Sequence, residues 1–307
     1  MSSPAYGVGT TWFMNYPHNL EGELDEAVIT GLEAALAAGF RHIDLAEMYG
    51  NEREAGVAIG RWLEARQSEG QTREAARQAL WITGKLWNNM GGDIEAACRA
   101  TVGRLRCDYL DLYLMHGPVS LLRQRSPDRC PEGLSNIAVW RRMETLVDLG
   151  LTSNVGLSNF RGTDIEELFA HELRHVPTVH QVEFHPHLQQ PRLQRISEGR
   201  GMRMAAYGSL APLTSDACKS GPVAALVAEL ALHRGIPQAL VLQAYAVQRG
   251  YTVITTSRTP SRLQEYLMLS SVTLDPGEIA ALDEAGRALP HRVFWDQQLI
   301  GSDAGLI

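Results

Sequence analysis

Short apolar runs alternate with longer amphipathic stretches along most of the chain. The short runs are six or seven residues long, rich in β-branched and aromatic residues, and bounded by Gly, Pro, Asn or Ser. These features are typical of buried strands. The pattern predicts eight strands, at residues 5–10, 40–45, 80–85, 109–115, 152–157, 178–184, 202–207 and 251–256.

Helix-like segments occupy the intervals between these strands. Residues 25–38 place apolar side chains three and four positions apart, and Gly39 follows as a stop signal. Similar spacing predicts helices at residues 52–66, 93–106, 136–149, 163–170, 190–200, 222–233 and 237–248, and a short one that begins at Thr259. Because parallel strands need a crossover connection, this alternation indicates βαβ units and an α/β fold.

Two α/β architectures compete, a closed (β/α)8 TIM barrel and an open, doubly wound sheet. A doubly wound sheet usually carries G-x-G-x-x-G after its first strand, whereas this chain reads GVGTTW there. We therefore expect a TIM barrel, with residues 1–307 forming one domain. Residues 117–135, predicted as a long polar connection, and residues 209–236 would both lie on the barrel face where active sites form.

Composition limits the partners of the protein. A net charge of −7 argues against a nucleic-acid backbone or an anionic membrane as the main partner. The four cysteines are scattered without metal-ligand spacing, so we expect reduced thiols and no metal. The N-terminus has no signal-peptide pattern, and no apolar run approaches the about 20 residues of a membrane span. We expect a cytoplasmic monomer that acts on a small molecule.

Four polar residues stand at or just beyond predicted strand ends, namely Asp44, Tyr49, Lys85 and His116. Each alone is weak evidence, but a barrel would bring all four to one mouth. A buried Lys beside a Tyr favours the phenolate and lowers the pKa of the phenol, and an Asp keeps the Lys charged. A His can hydrogen-bond a carbonyl oxygen. Together they predict protonation of a developing alkoxide, with hydride supplied by a nicotinamide.

Seven blocks of the sequence resemble the aldo-keto reductase family in order and spacing. They are GFRHIDLAEMYGNE (39–52), WITGKLW (81–87), LDLYLMHGP (110–118), VGLSNF (155–160), QVEFHPHLQ (181–189), AYGSLAP (206–212) and VITTSRTPSRLQEY (253–266). The resemblance implies a (β/α)8 barrel that reduces carbonyl groups with Asp44, Tyr49, Lys85 and His116 as the catalytic tetrad. The N-terminal hairpin that plugs the barrel floor in most relatives is expected to be short or absent.

The same resemblance implies a cofactor site. Its residues are Ser158, Asn159 and Gln181 at the nicotinamide carboxamide, Tyr207 under the ring, Ser209 and Leu210 along the pyrophosphate, Ser257 and Arg262 at the 2′-phosphate, and Glu265 at the adenine. The chain departs from the family pattern at Thr256, where many members have Lys, and at Tyr266, where many have Asn. Arg258 stands close enough to compensate. We expect NADPH as the cofactor, with NADH as the less favoured alternative.

The substrate is less specifically indicated. The blocks look most like those of fungal reductases of conjugated polyketones and ketopantoyl lactone, which implies a ketone, diketone or cyclic dicarbonyl, with an imine or an aldehyde as further options. The expected pocket walls are Trp12, Met48, Trp87, Phe294 and Trp295. Gly117 replaces a Trp of many relatives, which predicts a wider pocket. Two other functions stay open, a non-catalytic nicotinamide-binding redox sensor of this fold and a lyase or isomerase that uses Lys85 as a Schiff base.

Overall fold

The structure, a computed structural model, describes residues 3–8 and 23–295. Its strands are β1 Ala5–Gly7, β2 His42–Asp44, β3 Trp81–Leu86, β4 Leu112–Met115, β5 Val155–Ser158, β6 Val179–Glu183, β7 Arg203–Tyr207 and β8 Tyr251–Thr255. All eight run parallel in sequential order, and β1 pairs with β8 through Ala5 and Ile254. The predicted strands and the closed (β/α)8 barrel are therefore confirmed, and the doubly wound sheet is excluded.

Helices surround the barrel. They are α1 Glu26–Ala38, α2 Glu52–Ser68, α3 Arg73–Gln78, α4 Ile94–Leu105, α5 Val119–Arg125, α6 Asn136–Asp148, α7 Gly162–Phe169, α8 Pro191–Gly199, α9 Ala211–Thr214, α10 Pro222–Arg234, α11 Gln238–Gln248, α12 Pro260–Leu267 and α13 Pro276–Arg287, with 3-10 turns at Glu47–Tyr49, Pro127–Arg129 and Met268–Ser271. In α1, the Asp25 side chain accepts from the main-chain N–H of Ala27, and Gly39 ends the helix at φ +121°. Cap and stop residues thus define this helix as the sequence predicts.

The prediction of a polar connection at residues 117–135 is wrong in part. Helix α5 forms there and buries Val119, Leu121 and Leu122. The carboxamide of Asn136 accepts from the main-chain N–H of Val119 and holds the start of α5. Seven residues are too few to show a helical period, and a window long enough to detect one includes the polar segment that follows α5.

Helix α13 was not predicted either, although its start carries a recognisable signal. The side chains of Asp275 and Glu278 form a reciprocal capping box there. Near its end, Gly286 lies so close to the loop after β6 that a Cβ would stand 1.8 Å from the carbonyl oxygen of Pro186. Helix α13 is therefore seated directly against the segment that follows β6.

The described residues contain neither a hairpin before β1 nor a single helix long and apolar enough to cross a membrane. Helices α10 and α11 reach that length and composition only as a pair, across a bend of 102°. Within the barrel, Asp44, Ser158 and Tyr207 are the last residues of their strands. The carboxyl ends of the strands thus gather the polar residues on one face of the barrel.

Candidate active site

Asp44, Tyr49, Lys85 and His116 meet at the carboxyl ends of β2, β3 and β4. Tyr49 ends the 3-10 turn after β2, and His116 directly follows β4. The Lys85 ammonium donates to the Asp44 carboxylate, to the main-chain oxygen of Leu45 at 2.8 Å and to the Tyr49 hydroxyl at 3.4 Å. The rings of Tyr49 and His116 meet edge to face, with centroids 5.7 Å apart. The structure therefore brings the four side chains into one cluster.

The ion pair in this cluster is fully enclosed. Lys85 is 0% exposed and Asp44 is 2% exposed. The second oxygen of Asp44 accepts from the Gln181 carboxamide at 2.7 Å, so a residue of β6 reaches across the barrel to the same carboxylate. With both oxygens engaged, Asp44 is fixed from two sides and holds the ammonium in one position.

Burial sets the protonation of this cluster. It raises the pKa of Tyr49 well above the ordinary phenol value, and the nearby charge of Asp44 raises it further. Burial likewise lowers the pKa of Lys85. The pKa of His116 falls well below the ordinary histidine value, through burial first and through Lys85 second. Tyr49 and His116 are therefore both uncharged near neutral pH.

The expectation of a lowered pKa at Tyr49 is wrong for the net pKa, which is raised. The Lys85 ammonium is paired with Asp44, whose charge opposes that of Lys85 at the phenol, and desolvation of the phenolate outweighs the remainder. The consequence is a phenol that retains its proton and can donate it.

A second cluster adjoins the tetrad at the ends of β5 and β7. Asn159 follows β5 with φ +57°, a left-handed conformation that Asn tolerates. Its amide donates to the main-chain oxygen of His116 at 2.8 Å and to the Ser158 hydroxyl at 3.1 Å. The Tyr207 hydroxyl donates to the Asn159 oxygen at 2.6 Å. Three residues expected at the nicotinamide therefore lie together beside His116.

The residues expected at the phosphates continue along the same face. Ser209 is buried after β7, and its hydroxyl has no hydrogen-bond partner in the described part of the chain. Leu210 beside it is half-buried. A buried hydroxyl without a partner costs free energy, and a phosphate oxygen would satisfy it. This orphaned hydroxyl fits a dinucleotide cofactor.

The end of β8 holds the remaining residues expected at the cofactor. The Ser257 hydroxyl accepts from the main-chain N–H of Thr259, just before α12. Thr256 and Glu265 are half-buried, whereas Arg258 and Arg262 are exposed. Two guanidinium groups beside a helix N-terminus make a suitable environment for a phosphate.

Aromatic rings line one side of the mouth. Trp295 lies with its ring centroid 5.4 Å from that of Trp87 and 6.3 Å from that of His116. Phe294 meets the ring of Tyr207 edge to face at 5.6 Å. Met48 is half-buried against the core, and Trp12 lies outside the described residues. The rings of Trp87, Phe294 and Trp295 thus stand where the sequence predicts a substrate wall.

The space next to Gly117, which we expected to widen the pocket, is occupied by other side chains. A Cβ at this glycine would lie 2.7 Å from Leu121 Cδ2 and 3.2 Å from the ring of Trp87. Helix α5 therefore fills the space that the absent Trp side chain would leave.

Sequence reasoning missed three residues that shape the site. Glu47 accepts from the main-chain N–H groups of Trp87 and Asn88, and Arg125 lies over the ring of Trp295 at 4.9 Å. Glu183 contacts the segment that carries Trp295. Glu47 and Glu183 lie inside conspicuous sequence blocks, but Arg125 has no signal of its own because its partner is distant in sequence.

The family follows from a comparison with known proteins. The model of the aldo/keto reductase family matches residues 7–287. This chain belongs to that family. Because the match spans all eight strands except the first two residues of β1, it covers both clusters described above.

This aldo-keto reductase is 36% identical to the NAD/NADP-dependent indole-3-acetaldehyde reductase of Schizosaccharomyces pombe over 293 residues, covering 95% of this chain and 94% of that protein. It is 33% identical to human aldo-keto reductase family 1 member A1, covering 98% of this chain and 93% of that protein. An aldo-keto reductase of Bombyx mori in complex with NADP has a similar structure, with a TM-score of 0.79 and 26% identity over 96% of this chain and 92% of that one. The protein is an NAD(P)H-dependent carbonyl-reducing enzyme.

Proposed function

We propose that this enzyme uses NADPH to reduce a planar ketone, diketone or cyclic dicarbonyl, with Tyr49 as the proton donor. One observation carries the proposal. The Lys85 ammonium, held by Asp44 and by the main-chain oxygen of Leu45, stands 3.4 Å from the Tyr49 hydroxyl. When bound, the nicotinamide supplies the hydride.

Tyr49 is suited to give a proton because it keeps one at neutral pH. Its raised pKa holds the phenol in the donor form until a stronger base arrives. A carbonyl oxygen that gains negative charge is such a base, and general-acid transfer of this kind contributes about 10²- to 10⁴-fold in rate. The adjacent Lys85 would then stabilise the phenolate, while Asp44 and Gln181 keep the ammonium in place.

His116 positions the carbonyl oxygen in this proposal. Its ring is neutral because burial lowers its pKa, so it carries one N–H that can donate without bringing a charge. The rings of Tyr49, Trp87 and Trp295 surround it, at centroid distances from 5.7 to 6.3 Å. An oxygen placed between His116 and Tyr49 would meet both donors in a largely dry site.

The cofactor is proposed to lie across the ends of β5 to β8. Asn159 and Gln181 are held in fixed orientations by His116, Tyr207 and Asp44, so their amides are prepared for a carboxamide. Arg258 and Arg262 support NADPH over NADH, because guanidinium groups pair strongly with a 2′-phosphate. The Schizosaccharomyces pombe relative is named as NAD/NADP-dependent, which leaves room for both.

The aromatic wall supports a planar substrate. The rings of Trp87 and Trp295 offer apolar faces next to His116. The sequence blocks that resemble those of fungal reductases of conjugated polyketones and ketopantoyl lactone also support this substrate class. An imine needs the same proton at nitrogen and is a secondary candidate.

We also propose that residues 1–307 act as one barrel domain and as a cytoplasmic monomer. All proposed site residues come from one chain, so no partner subunit is needed to complete the site. The four cysteines are free, which suits a reducing compartment. Sedimentation of the purified protein tests the monomer directly.

The proposed activity is tested by following oxidation of NADPH and NADH with a panel of substrates. The panel holds isatin, ketopantoyl lactone, a small 1,2-diketone, an aromatic aldehyde, xylose and a cyclic imine. We expect turnover with NADPH and the cyclic dicarbonyls. Tight cofactor binding without turnover of any substrate would favour the redox-sensor alternative, and activity confined to short aliphatic aldehydes would contradict the proposed substrate class.

A further inference from the structure

A buried carboxylate that the proposed chemistry does not use lies at the end of β6. Glu183 is 0% exposed and stands two residues after Gln181. Its oxygens accept from the main-chain N–H of Val293 at 2.7 Å and from that of Phe294 at 3.0 Å. The ring of His185 lies at 2.9 Å. Burying a carboxylate costs free energy unless hydrogen-bond donors or a counter-charge compensate it.

Most of these partners belong to residues 292–295, here called the tail segment. The guanidinium of Arg292 lies 3.9 Å from the Glu183 carboxylate, and it donates to the Gln190 carboxamide at 3.2 Å. Gln190 in turn donates to the main-chain oxygen of Glu183 at 2.7 Å. The side chains of Arg292 and Glu183 thus attach the tail segment to the end of β6, although more than a hundred residues of sequence separate them.

The tail segment carries two of the aromatic rings at the mouth, Phe294 and Trp295, and holds Trp295 in an unfavourable conformation. Trp295 has φ +58°. A left-handed conformation costs a non-glycine residue about 1–2 kcal/mol, so contacts made elsewhere must maintain it. The contacts immediately before Trp295 are those of Val293 and Phe294 with Glu183.

The tail segment also packs on the residues proposed to bind the cofactor. Gly208 has φ +70°, and a Cβ there would lie 3.1 Å from the ring of Phe294 and 3.5 Å from Glu183 Cγ. Phe294 reaches the ring of Tyr207 from this position. Glu183, Phe294 and the end of β7 therefore form one packed unit beside the mouth.

We propose that Glu183 is a positioning residue that sets substrate selectivity by holding the tail segment over the mouth. The two successive main-chain N–H groups of Val293 and Phe294 donate to different oxygens of Glu183, and an amide of equal size would present an N–H donor to one of them. Holding them keeps Trp295 against Trp87 and His116. A large planar substrate uses this wall, whereas a small diketone reaches Tyr49 without it. The inference rests on the proposed carbonyl reduction at Tyr49.

The test compares Glu183→Gln with the wild-type enzyme on isatin and on biacetyl, both with saturating NADPH. We expect the KM for isatin to rise by roughly tenfold or more, as for loss of charge-assisted hydrogen bonds. The kcat for isatin and both constants for biacetyl should stay close to wild type. Hydrogen exchange followed by mass spectrometry should show loss of protection at Val293 and Phe294.

A matched control is available at Glu144. One oxygen of this buried carboxylate accepts from two successive main-chain N–H groups, those of Arg174 and His175, and the other pairs with Arg141, but Glu144 lies on α6 away from the mouth. Glu144→Gln should lower stability without changing the ratio of the two substrates. Trp295→Ala supplies the second comparison, because Glu183→Gln should add nothing to the isatin KM once the ring is removed.

Three results would overturn the inference. One is an equal loss for isatin and biacetyl in Glu183→Gln, as a purely structural role would give. Another is full additivity with Trp295→Ala, and the third is unchanged protection at Val293 and Phe294. If the wild-type enzyme reduces neither compound, the proposed function is overturned, and the proposed role of Glu183 in selectivity fails with it. The hydrogen-exchange experiment still reports whether Glu183 holds the tail segment.

Discussion

The two ends of the proposed cofactor site are built differently. At the tetrad end, Lys85 and Asp44 are buried on adjacent strands and hydrogen-bonded to the barrel itself. At the phosphate end, Arg258 and Arg262 are exposed beyond the last strand. The fold therefore fixes Lys85 and Asp44 inside the barrel, whereas the two guanidinium groups proposed to bind the 2′-phosphate stand at the surface.

This difference has an energetic consequence. Removing one partner of a buried ion pair lowers the free energy of unfolding, because the other charge stays buried without a counter-charge. An interaction made by an exposed guanidinium is screened by water and contributes little to folding. Substitutions at the two ends should therefore separate stability from cofactor affinity.

The largest effect is expected from Lys85→Met. Removal of the ammonium leaves the Asp44 carboxylate with Gln181 and without its counter-charge, which should cost about 3–5 kcal/mol of unfolding free energy. Catalysis should also fall by orders of magnitude, since Asp44 alone raises the pKa of Tyr49 further. Denaturant unfolding measures the first effect. Arg99→Met, which breaks an exposed pair with Glu95, is the control and should leave stability nearly unchanged; equal stability losses in both variants would contradict the contrast.

Arg262→Gln should instead weaken the binding of NADPH and leave the stability of the fold unchanged. We expect the KM for NADPH to rise about 10- to 100-fold, the amount for loss of a charge-assisted hydrogen bond, with the KM for NADH and the denaturation midpoint unchanged. Arg203→Gln is a matched control, because Arg203 is exposed at the first residue of β7 and so lies at the other end of the barrel. A parallel rise in both KM values would show that Arg262 does not read the 2′-phosphate.

A smaller effect is expected in the pH dependence of stability, through the ring of His180 between β6 and α8. Burial lowers the pKa of His180 from 6.5 to about 3, and its ring pairs with the Ser197 hydroxyl at 2.8 Å. Because the folded-state pKa lies below the unfolded one, stability from the neutral ring is complete above about pH 6.5 and is lost as the pH falls towards 3.

From pH 7 to pH 5 this loss amounts to about 2 kcal/mol of unfolding free energy. His180→Gln keeps a group that can bond Ser197 but cannot titrate, so its unfolding free energy should fall less steeply than that of the wild type over this range. Identical slopes for the two proteins in urea unfolding at several pH values would refute the assignment.

The barrel and the meeting of Asp44, Lys85 and His116 at one face could be predicted from sequence because their signals are local. Asp44, Lys85 and His116 each stand at a strand end, and parallel strands of one barrel bring such ends together. Alternation along a strand also distinguishes neighbours, since Gln181 reaches Asp44 inside the barrel while His180 reaches Ser197 of α8.

Properties that depend on distant packing could not be predicted in this way. The direction of the Tyr49 pKa depends on burial and on how closely Asp44 neutralises Lys85. The space beside Gly117 is filled by Leu121 of a helix too short to show a period. The hold of Glu183 on Phe294 joins residues 111 positions apart, which no local pattern reveals.

The most direct test of the account is the single-turnover rate of Tyr49→Phe with bound NADPH and isatin, alongside a fluorescence titration of NADPH. The phenylalanine ring keeps the packing against His116 and removes only the hydroxyl next to Lys85. We predict an unchanged affinity for NADPH and a rate lowered by about 10²-fold or more, as for loss of a general acid. A variant that retains more than about a tenth of the wild-type rate would contradict the assignment of Tyr49 as the proton donor.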